Sequence, residues 1–286
     1  YKMFQEKWFL VIFFLLFIIM FIICIIHVDV VIKVSKELNN YLKDKSRCIV
    51  INLEKNTERL KLFTQRYNNS DINVLELQRF NAVYGKNIDI RPYVTDKAYK
   101  QIQDAEENGY REFHYALTRN SIGCFLSHST LYQNLLKDNN KDFYIIFEDD
   151  AIIGPKVMDS LYGFMSNAPS DWDIILFGTI REISKPHNDL FDKVSTFWGL
   201  HGYAIGKQGA QKFLNYIEKN DGKIDMQIDS LMSYMTKKDD FNIYSTKYHF
   251  IDFSKNKGDT DIQLPIKYLR NVDPFEYEDE DGKVKL

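Results

Sequence analysis

Two features of this 286-residue chain predict an α/β fold with parallel strands at its centre. The first is a strand–helix–strand order between residues 47 and 85. Arg47-Cys48-Ile49-Val50-Ile51-Asn52-Leu53 reads as a buried strand. Asn56-Thr57-Glu58-Arg59 opens a helix carrying Leu60, Leu62, Phe63 and Tyr67. A second strand runs from Val74 to Phe80 and ends in Asn81-Ala82-Val83-Tyr84-Gly85. Alternation of this kind builds a parallel sheet through right-handed crossovers. The second feature is Phe143-Tyr144-Ile145-Ile146-Phe147-Glu148-Asp149-Asp150-Ala151, where five apolar residues run into three acids. A short apolar run bounded by polar residues reads as a strand buried on both faces. Adjacent carboxylates repel one another, so stability does not explain them. The carboxyl edge of a parallel sheet, where open α/β sheets bind ligands, tolerates them.

The remaining elements follow in order. Residues 8–26 carry no charge and are mostly Phe, Ile and Leu. A helix of that length just spans a bilayer core of about 30 Å, which predicts a single-pass membrane anchor over 1–26. No small-residue cleavage site follows it. The lysines on its two sides (Lys2 and Lys7; Lys33, Lys36, Lys43 and Lys45) and the sequon Asn68-Asn69-Ser70 point to opposite orientations, leaving a lumenal (ER or Golgi) or a cytosolic catalytic side open. Residues 27–46 form a stem in which Val30, Val31, Val34 and Leu38 keep helical spacing.

Residues 86–120 are polar and break the pattern, either as a surface excursion or as a mobile lid. Ser121-Ile122-Gly123-Cys124 leads into a helix with Leu126, Leu131, Leu135 and Leu136 as its stripe. Strands follow at 173–178 and 202–206, a helix at 208–217, and a helix at 225–235 with Ile228, Leu231, Met232 and Met235 inward. A late strand covers 241–248. From Asp273 an acidic tail (Glu276, Glu278, Asp279, Glu280, Asp281) is expected to fray. The result is one α/β domain behind a membrane anchor.

Composition narrows the function. The chain is 45% hydrophobic and 27% charged, as a globular protein is. A net charge of −3 argues against a nucleic-acid partner. Cysteines at 24, 48 and 124 make neither a disulfide framework nor a cysteine metal cluster.

Glu148, Asp149 and Asp150 offer oxygen-only donors that suit Mg²⁺ or Mn²⁺, which in turn holds phosphates; a solvated acidic turn is the other reading. Asp225 and Asp229, four apart, fall on one face of the predicted helix. There they are either a solvated face or a general base with a partner for sugar hydroxyls. Ser127 and His128 sit inside the helix after Gly123. His201 or His249 could complete a metal sphere begun by Asp150. No GxGxxG, no GxxxxGK[ST] and no GxSxG is present. A bound nucleotide would thus be held by a cation and scattered side chains, as suits a sugar nucleotide.

At this point the motif order resembles glycosyltransferase family 25, which includes lipooligosaccharide and collagen galactosyltransferases. Cys48 to Leu53 with Arg59 resembles the family's opening strand, and Asn81 to Gly85 its A-V-x-G block. Ile122 to His128 matches its GC-x-x-SH block, and Phe147 to Ala151 its EDDA block. Gly202 to Ala210 is similar to its GY-x-x-S-x-x-GA block, Ile224-Asp225 to its P-V-D block, and Gly258 to Ile262 to its late S-D-I segment. The resemblance covers residues 47 to about 263. Lys223 and Gly206 depart from the pattern without removing a charged functional group.

What the resemblance implies is a GT-A fold, a Rossmann-like mixed sheet flanked by helices, over 47–272. It further implies a nucleotide-sugar donor such as UDP-galactose or UDP-glucose, Mn²⁺ or Mg²⁺, inversion at the anomeric carbon, and a glycan, glycolipid or protein hydroxyl as acceptor. Asp150 with Asp149 or Glu148 would hold the cation, with His249 as a further ligand. Asn52, Arg59, Asn81, Val83, Ser127 and His128 would line the nucleotide side, and Asp225 or Asp229 would be the base. Trp198, His201 and Tyr203 would form an acceptor platform, with a place in the core as the other reading of Trp198. A non-catalytic, membrane-tethered glycan-binding or scaffold protein on the same fold is the alternative, and a sugar-nucleotide hydrolase a third.

Overall fold

The computed structural model describes residues 17–26, 37, 40–111, 116–238 and 241–253, and the backbone of short strand pieces at 267–268, 277–279 and 282–284. The chain divides into two compact units, 1–44 and 45–286. In the first unit, the expected membrane span is corrected: among the described residues no helix is long and apolar enough to cross a membrane. The helical run described here covers 17–26. At 1.5 Å per residue it rises about 15 Å, half of a bilayer core. Residues 8–16, and most of the expected stem, lie outside the described residues.

The second unit is built on strands β1 (Ser46–Asn52), β2 (Leu77–Asn81), β3 (Tyr110–Arg111), β4 (Phe143–Glu148), β5 (Ala151–Ile153), β6 (Ile174–Gly178), β7 (Arg181–Pro186), β8 (Phe191–Trp198), β9 (Gly202–Gly206), β10 (Ile243–Thr246) and β11 (Ile251–Phe253). The helices are α1 (Thr57–Asn68), α2 (Asp96–Asn108), α3 (Arg119–Lys137), α4 (Met158–Ser166), α5 (Lys207–Lys219) and α6 (Ile228–Lys238). Eight strands form one mixed sheet in the order β2-β1-β4-β9-β6-β10-β8-β7. β2, β1 and β4 run parallel, whereas β9 is antiparallel to both β4 and β6. β5 and β11 make a separate antiparallel pair.

β1 and β4 are covered on both faces, which is why their sequences are nearly continuous apolar runs rather than alternating ones. Tyr144 and Ile146 join the main core cluster with Leu131 and Leu135 of α3 and Phe213 of α5. Phe147 points the other way, onto Phe63 (ring centroids 5.7 Å apart) and Tyr67 (6.4 Å) of α1. The one-residue alternation along β4 thus feeds two cores.

The 86–120 stretch is neither a surface excursion nor a lid over its described length. Ile90, Val94, Ala98, Ile102 and Leu117 are 0–3% exposed in the main cluster. Thr95 caps α2 by accepting from the Ala98 amide (3.2 Å), and Gly109, at φ 77°, ends it in the left-handed conformation. The inward residues Ala98, Ile102 and Ala105 recur at helical spacing, but two of the three are alanine, too small to stand out in an apolar count. The late strand is shorter than expected, 243–246. The β7–β8 hairpin was not foreseen because its strands are interspersed with charged residues, and the β5–β11 pair because each strand is only three residues long. The Gly258–Ile262 block lies outside the described residues. Within the acidic tail, Tyr277–Asp279 pairs antiparallel with Gly282–Val284 instead of fraying, so backbone groups there satisfy one another.

One backbone contact shapes the rest. α3 opens with a capping box, in which Thr118 Oγ1 accepts from Ser121 N (3.0 Å) and Ser121 Oγ from Thr118 N (2.8 Å). Its first turn then lies directly on the segment 83–85. A Cβ on Gly123 would stand 2.3 Å from Val83 O and 2.6 Å from Gly85 N; one on Gly85 would stand 1.7 Å from Arg119 O. Both glycines are therefore required by close backbone approach. Gly123→Ala is expected to force α3 off this segment and destabilise the fold by about 1–3 kcal/mol in chemical denaturation. Wild-type stability would show that the 83–85 segment yields freely.

Candidate active site

β1, β2 and β4 end together. Asn52 is in register with Asn81, and Ile51 with Glu148. On the far side of β4 the chain enters antiparallel β9, and Glu148 N donates to His201 O (3.0 Å). A cavity of about 100 Å³ opens at this edge. The carboxyl ends of β1 and β4 form its floor, and residues 82–85 and the first turns of α3 form its wall. It lies where the sheet topology places ligand sites, at carboxyl ends of parallel strands whose connections diverge.

The three acids have three different fates. Asp149 turns into the protein: its side chain is 6% exposed, it is ion-paired with Arg59, and it accepts from Asn52 Nδ2 (2.6 Å). Asn52 also donates to Asn56 O (3.0 Å) and accepts from Arg79 Nε (3.1 Å), while Arg79 reaches Asn81 Oδ1 (3.4 Å). Asn52, Arg59 and Asn81 are thus joined through Asp149 and Arg79. Arg79 was missed in the sequence. Its signal is the period of two along β2, which puts it on the same face as Asn81.

Glu148 faces the cavity beside His128. Burial alone would raise its carboxyl, but the hydrogen bond from His128, with His201 and Arg59 adding to it, holds it below the usual carboxylate range. Asp150 has the opposite balance. Burial first, and then the negative charge of Glu148, push it up to about 7 against the pull of Arg59, whose Nη2 is 3.8 Å away. Its Oδ1 is buried without a hydrogen-bond partner.

His128 is fully buried. An ionised Glu148 can only accept, so His128 Nε2–H donates to Glu148 Oε1 (3.4 Å), and Nδ1 accepts from Tyr203 OH (2.7 Å). Tyr132 OH in turn donates to Tyr203 (2.8 Å). Burial holds both tyrosines well above their ordinary range, so they stay protonated within this chain. Ser127 works on the wall: its Oγ accepts from Val83 N (2.9 Å) and donates to Gly123 O (2.7 Å).

The second acidic pair is not on one helix face. α6 begins at Ile228, so Asp225 lies before it, exposed in a bend after the bridge at Ile224. The expected four-residue spacing fails because the chain there pairs with Val94 instead of coiling. Asp229, on the first turn of α6, is half-buried and accepts from Gly199 N (3.1 Å) and Ser230 N (2.8 Å). Burial raises its carboxyl, and the charge of Glu148 adds to the rise, so the two acids share one electrostatic neighbourhood.

His249 lies 3.6 Å from Glu182 Oε2, with which it forms a pair at the end of β10 that the sequence did not suggest. The acceptor platform is corrected. Trp198, His201 and Tyr203 are 0–3% exposed, and Tyr203 belongs to the His128 chain rather than to a surface. Aromatic residues next to glycines in a strand mark close packing here, not an open sugar-stacking face.

The family profile described as "Glycosyltransferase family 25 (LPS biosynthesis protein)" matches residues 45–232. The chain is 31% identical over 185 residues to a "Glycosyltransferase 25 family member" of Anopheles gambiae, covering 60% of this chain and 29% of that one. It is 26% identical over 206 residues to "Procollagen galactosyltransferase 1-B" of Xenopus laevis, covering 68% and 32%. It therefore spans less than a third of the length of these relatives. Among solved structures, a glycosyltransferase involved in glycosylation of the major capsid of PBCV-1 aligns at 9% identity and a TM-score of 0.30, over 68% of each chain. The matched region contains all the elements that build the cavity, from β1 to the start of α6, and on that match the chain belongs to glycosyltransferase family 25.

Proposed function

We propose that this chain transfers a hexose, galactose or glucose, from a nucleoside-diphosphate sugar to a hydroxyl of a glycan, glycolipid or protein, with inversion and with help from a divalent cation. The GT-A class for residues 47–272 is part of the same reading. Asp150 is the observation that carries it: a buried carboxylate oxygen without a partner, opening onto a cavity at the carboxyl ends of parallel strands. The names of the relatives support galactosyl transfer.

The residues fit Mn²⁺ or Mg²⁺. Asp150 and Glu148 present hard oxygen donors, and the burial and the charge of Glu148 that together raise Asp150 are both relieved by a dication. Asp149 is committed to Arg59 and Asn52, so it acts by aiming its neighbours rather than as the leading ligand. When bound, the cation neutralises the charge that develops on the departing diphosphate. The protein's own residues do the rest. Arg59 lies between Asp149 and Asp150 at the mouth of the nucleotide side. The Val83–Gly85 segment and Ser127 shape the wall against which a nucleoside would lie. Asp229 is the better-placed base: it is held by two backbone amides, and burial raises its affinity for a proton, as base catalysis needs. Asp225, exposed ahead of α6, is left to contact an acceptor.

Release of nucleoside diphosphate from UDP-galactose and UDP-glucose by the full chain, with Mn²⁺ and with EDTA, tests the reading. One donor should turn over with metal and none with EDTA. Asp150→Ala should reduce turnover at least about a hundredfold with the fold intact by circular dichroism. Full activity in that variant would remove Asp150 from the site.

A second expectation concerns the metal-free protein. Asp150 binds its proton more tightly folded than unfolded, so between about pH 4 and pH 7 the folded state holds the extra proton, and stability falls as pH rises through that window. Asp150→Asn removes this cost. With a third of the side chain still open to the cavity, the gain is on the order of 1 kcal/mol above pH 7 and absent near pH 4. Melting curves at the two pH values check it; an equal shift at both would mean the effect is not electrostatic.

A further inference from the structure

Cys124 and His128 stand one turn apart on α3, and Glu148 ends β4 opposite them. One ligand atom from each lies within 4.8 Å of the other two, and all three residues border the cavity. The transferase reading uses Glu148, but it gives no role to a sulfur at this position. We propose that Cys124, His128 and Glu148 form a binding site for a thiophilic divalent cation of the zinc class, distinct in chemistry from the oxygen-only site at Asp150.

Three observations carry it. The donor set is one sulfur, one imidazole nitrogen and one carboxylate oxygen, which suits Zn²⁺ and disfavours Mg²⁺ and Mn²⁺. The imidazole is already held from behind: Nδ1 is 2.7 Å from Tyr203 OH, the arrangement that orients a metal-bound histidine. The potential also has the right sign, since Glu148, Asp229 and Asp150 all act against a negative charge on Cys124. Burial first, and then these acids, keep the thiol protonated, and the same acids attract a dication.

The protons balance simply. Cys124 gives its proton to solvent and binds as thiolate. His128 moves its proton from Nε2 to Nδ1, freeing Nε2 for the metal, and Nδ1–H then donates to the Tyr203 oxygen. Tyr203 turns its own proton toward the Tyr132 oxygen, and the Tyr132 hydroxyl rotates its hydrogen away from Tyr203, which reverses the direction of that hydrogen bond. The cavity side leaves a position open for water or substrate. Glu148 is shared with the transferase site, so the two cations exclude one another and zinc inhibits turnover.

Co²⁺ added to the full metal-free chain reads the site without any donor, so a failed transferase assay leaves this test standing. The wild type should develop the near-ultraviolet thiolate-to-cobalt charge-transfer band, and Zn²⁺ should bleach it. Cys124→Ser and Cys124→Ala should lack the band, and Tyr203→Phe should bind Co²⁺ about 10–100-fold more weakly. No band in the folded wild type would overturn the proposal, as would a band that survives loss of Cys124. Should both Cys124 variants misfold, iodoacetamide alkylation of Cys124 in the wild type replaces them. Zinc should slow it, and an unchanged rate would also overturn the proposal.

Discussion

Three consecutive carboxylates at the end of a buried strand are the constraint around which the site is organised. Coulomb repulsion at such spacing, in a half-dry environment, is too large to leave unanswered. The fold answers it unequally. Asp149 receives Arg59 and Asn52, Glu148 receives His128, and Asp150 receives only a distant share of Arg59. The asymmetry matters more than the total. Asp150 is the residual charge, and it sits where the cavity opens.

The partners of these acids come from elements brought together by backbone rather than by side chains. Gly85 and Gly123 let the 83–85 segment and the first turn of α3 touch, and that contact sets where Cys124, Ser127 and His128 stand relative to β4. Ser127 closes the contact with a hydrogen bond to Val83 N. His128, one residue on, carries the line inward through Tyr203 of β9 to Tyr132 of α3 itself. Because β9 runs antiparallel beside β4, the chain crosses the sheet exactly one strand from the acids. Burial makes each link of this line costly to leave unpaired, which is why it holds one arrangement.

Much of this was legible in the residues. The apolar run at 143–147 and its acids located the strand and the edge correctly, because a both-faces-buried strand leaves no ambiguity of period. The Gly123 to His128 block located the helix that faces it. What the sequence concealed were features set by tertiary pairing. The Asp225–Asp229 spacing looked helical, but Ile224 bridges to Val94 and α6 starts late. Periodicity cannot see a bridge between segments 130 residues apart. Tyr203 looked like part of an exposed platform, and Trp198 was open between platform and core, because aromatic residues near glycines are ambiguous until burial is known. The 86–120 stretch looked polar because α2 buries alanines, whose contribution to an apolar count is small although their fit against a core is close.

The same unequal neutralisation bears on how such a site can be both stable and ready. Arg59 touches both Asp149 and Asp150, at short range to the first and 3.8 Å to the second. Its closer partner fixes its position, and its farther partner is the one a bound cation would relieve. Binding therefore does not have to break the Arg59–Asp149 pair, only to take over the weaker of two interactions. The protein keeps the pair that holds α1 to the end of β4 and leaves open the charge that a ligand completes, so that little structure has to move when the site is filled.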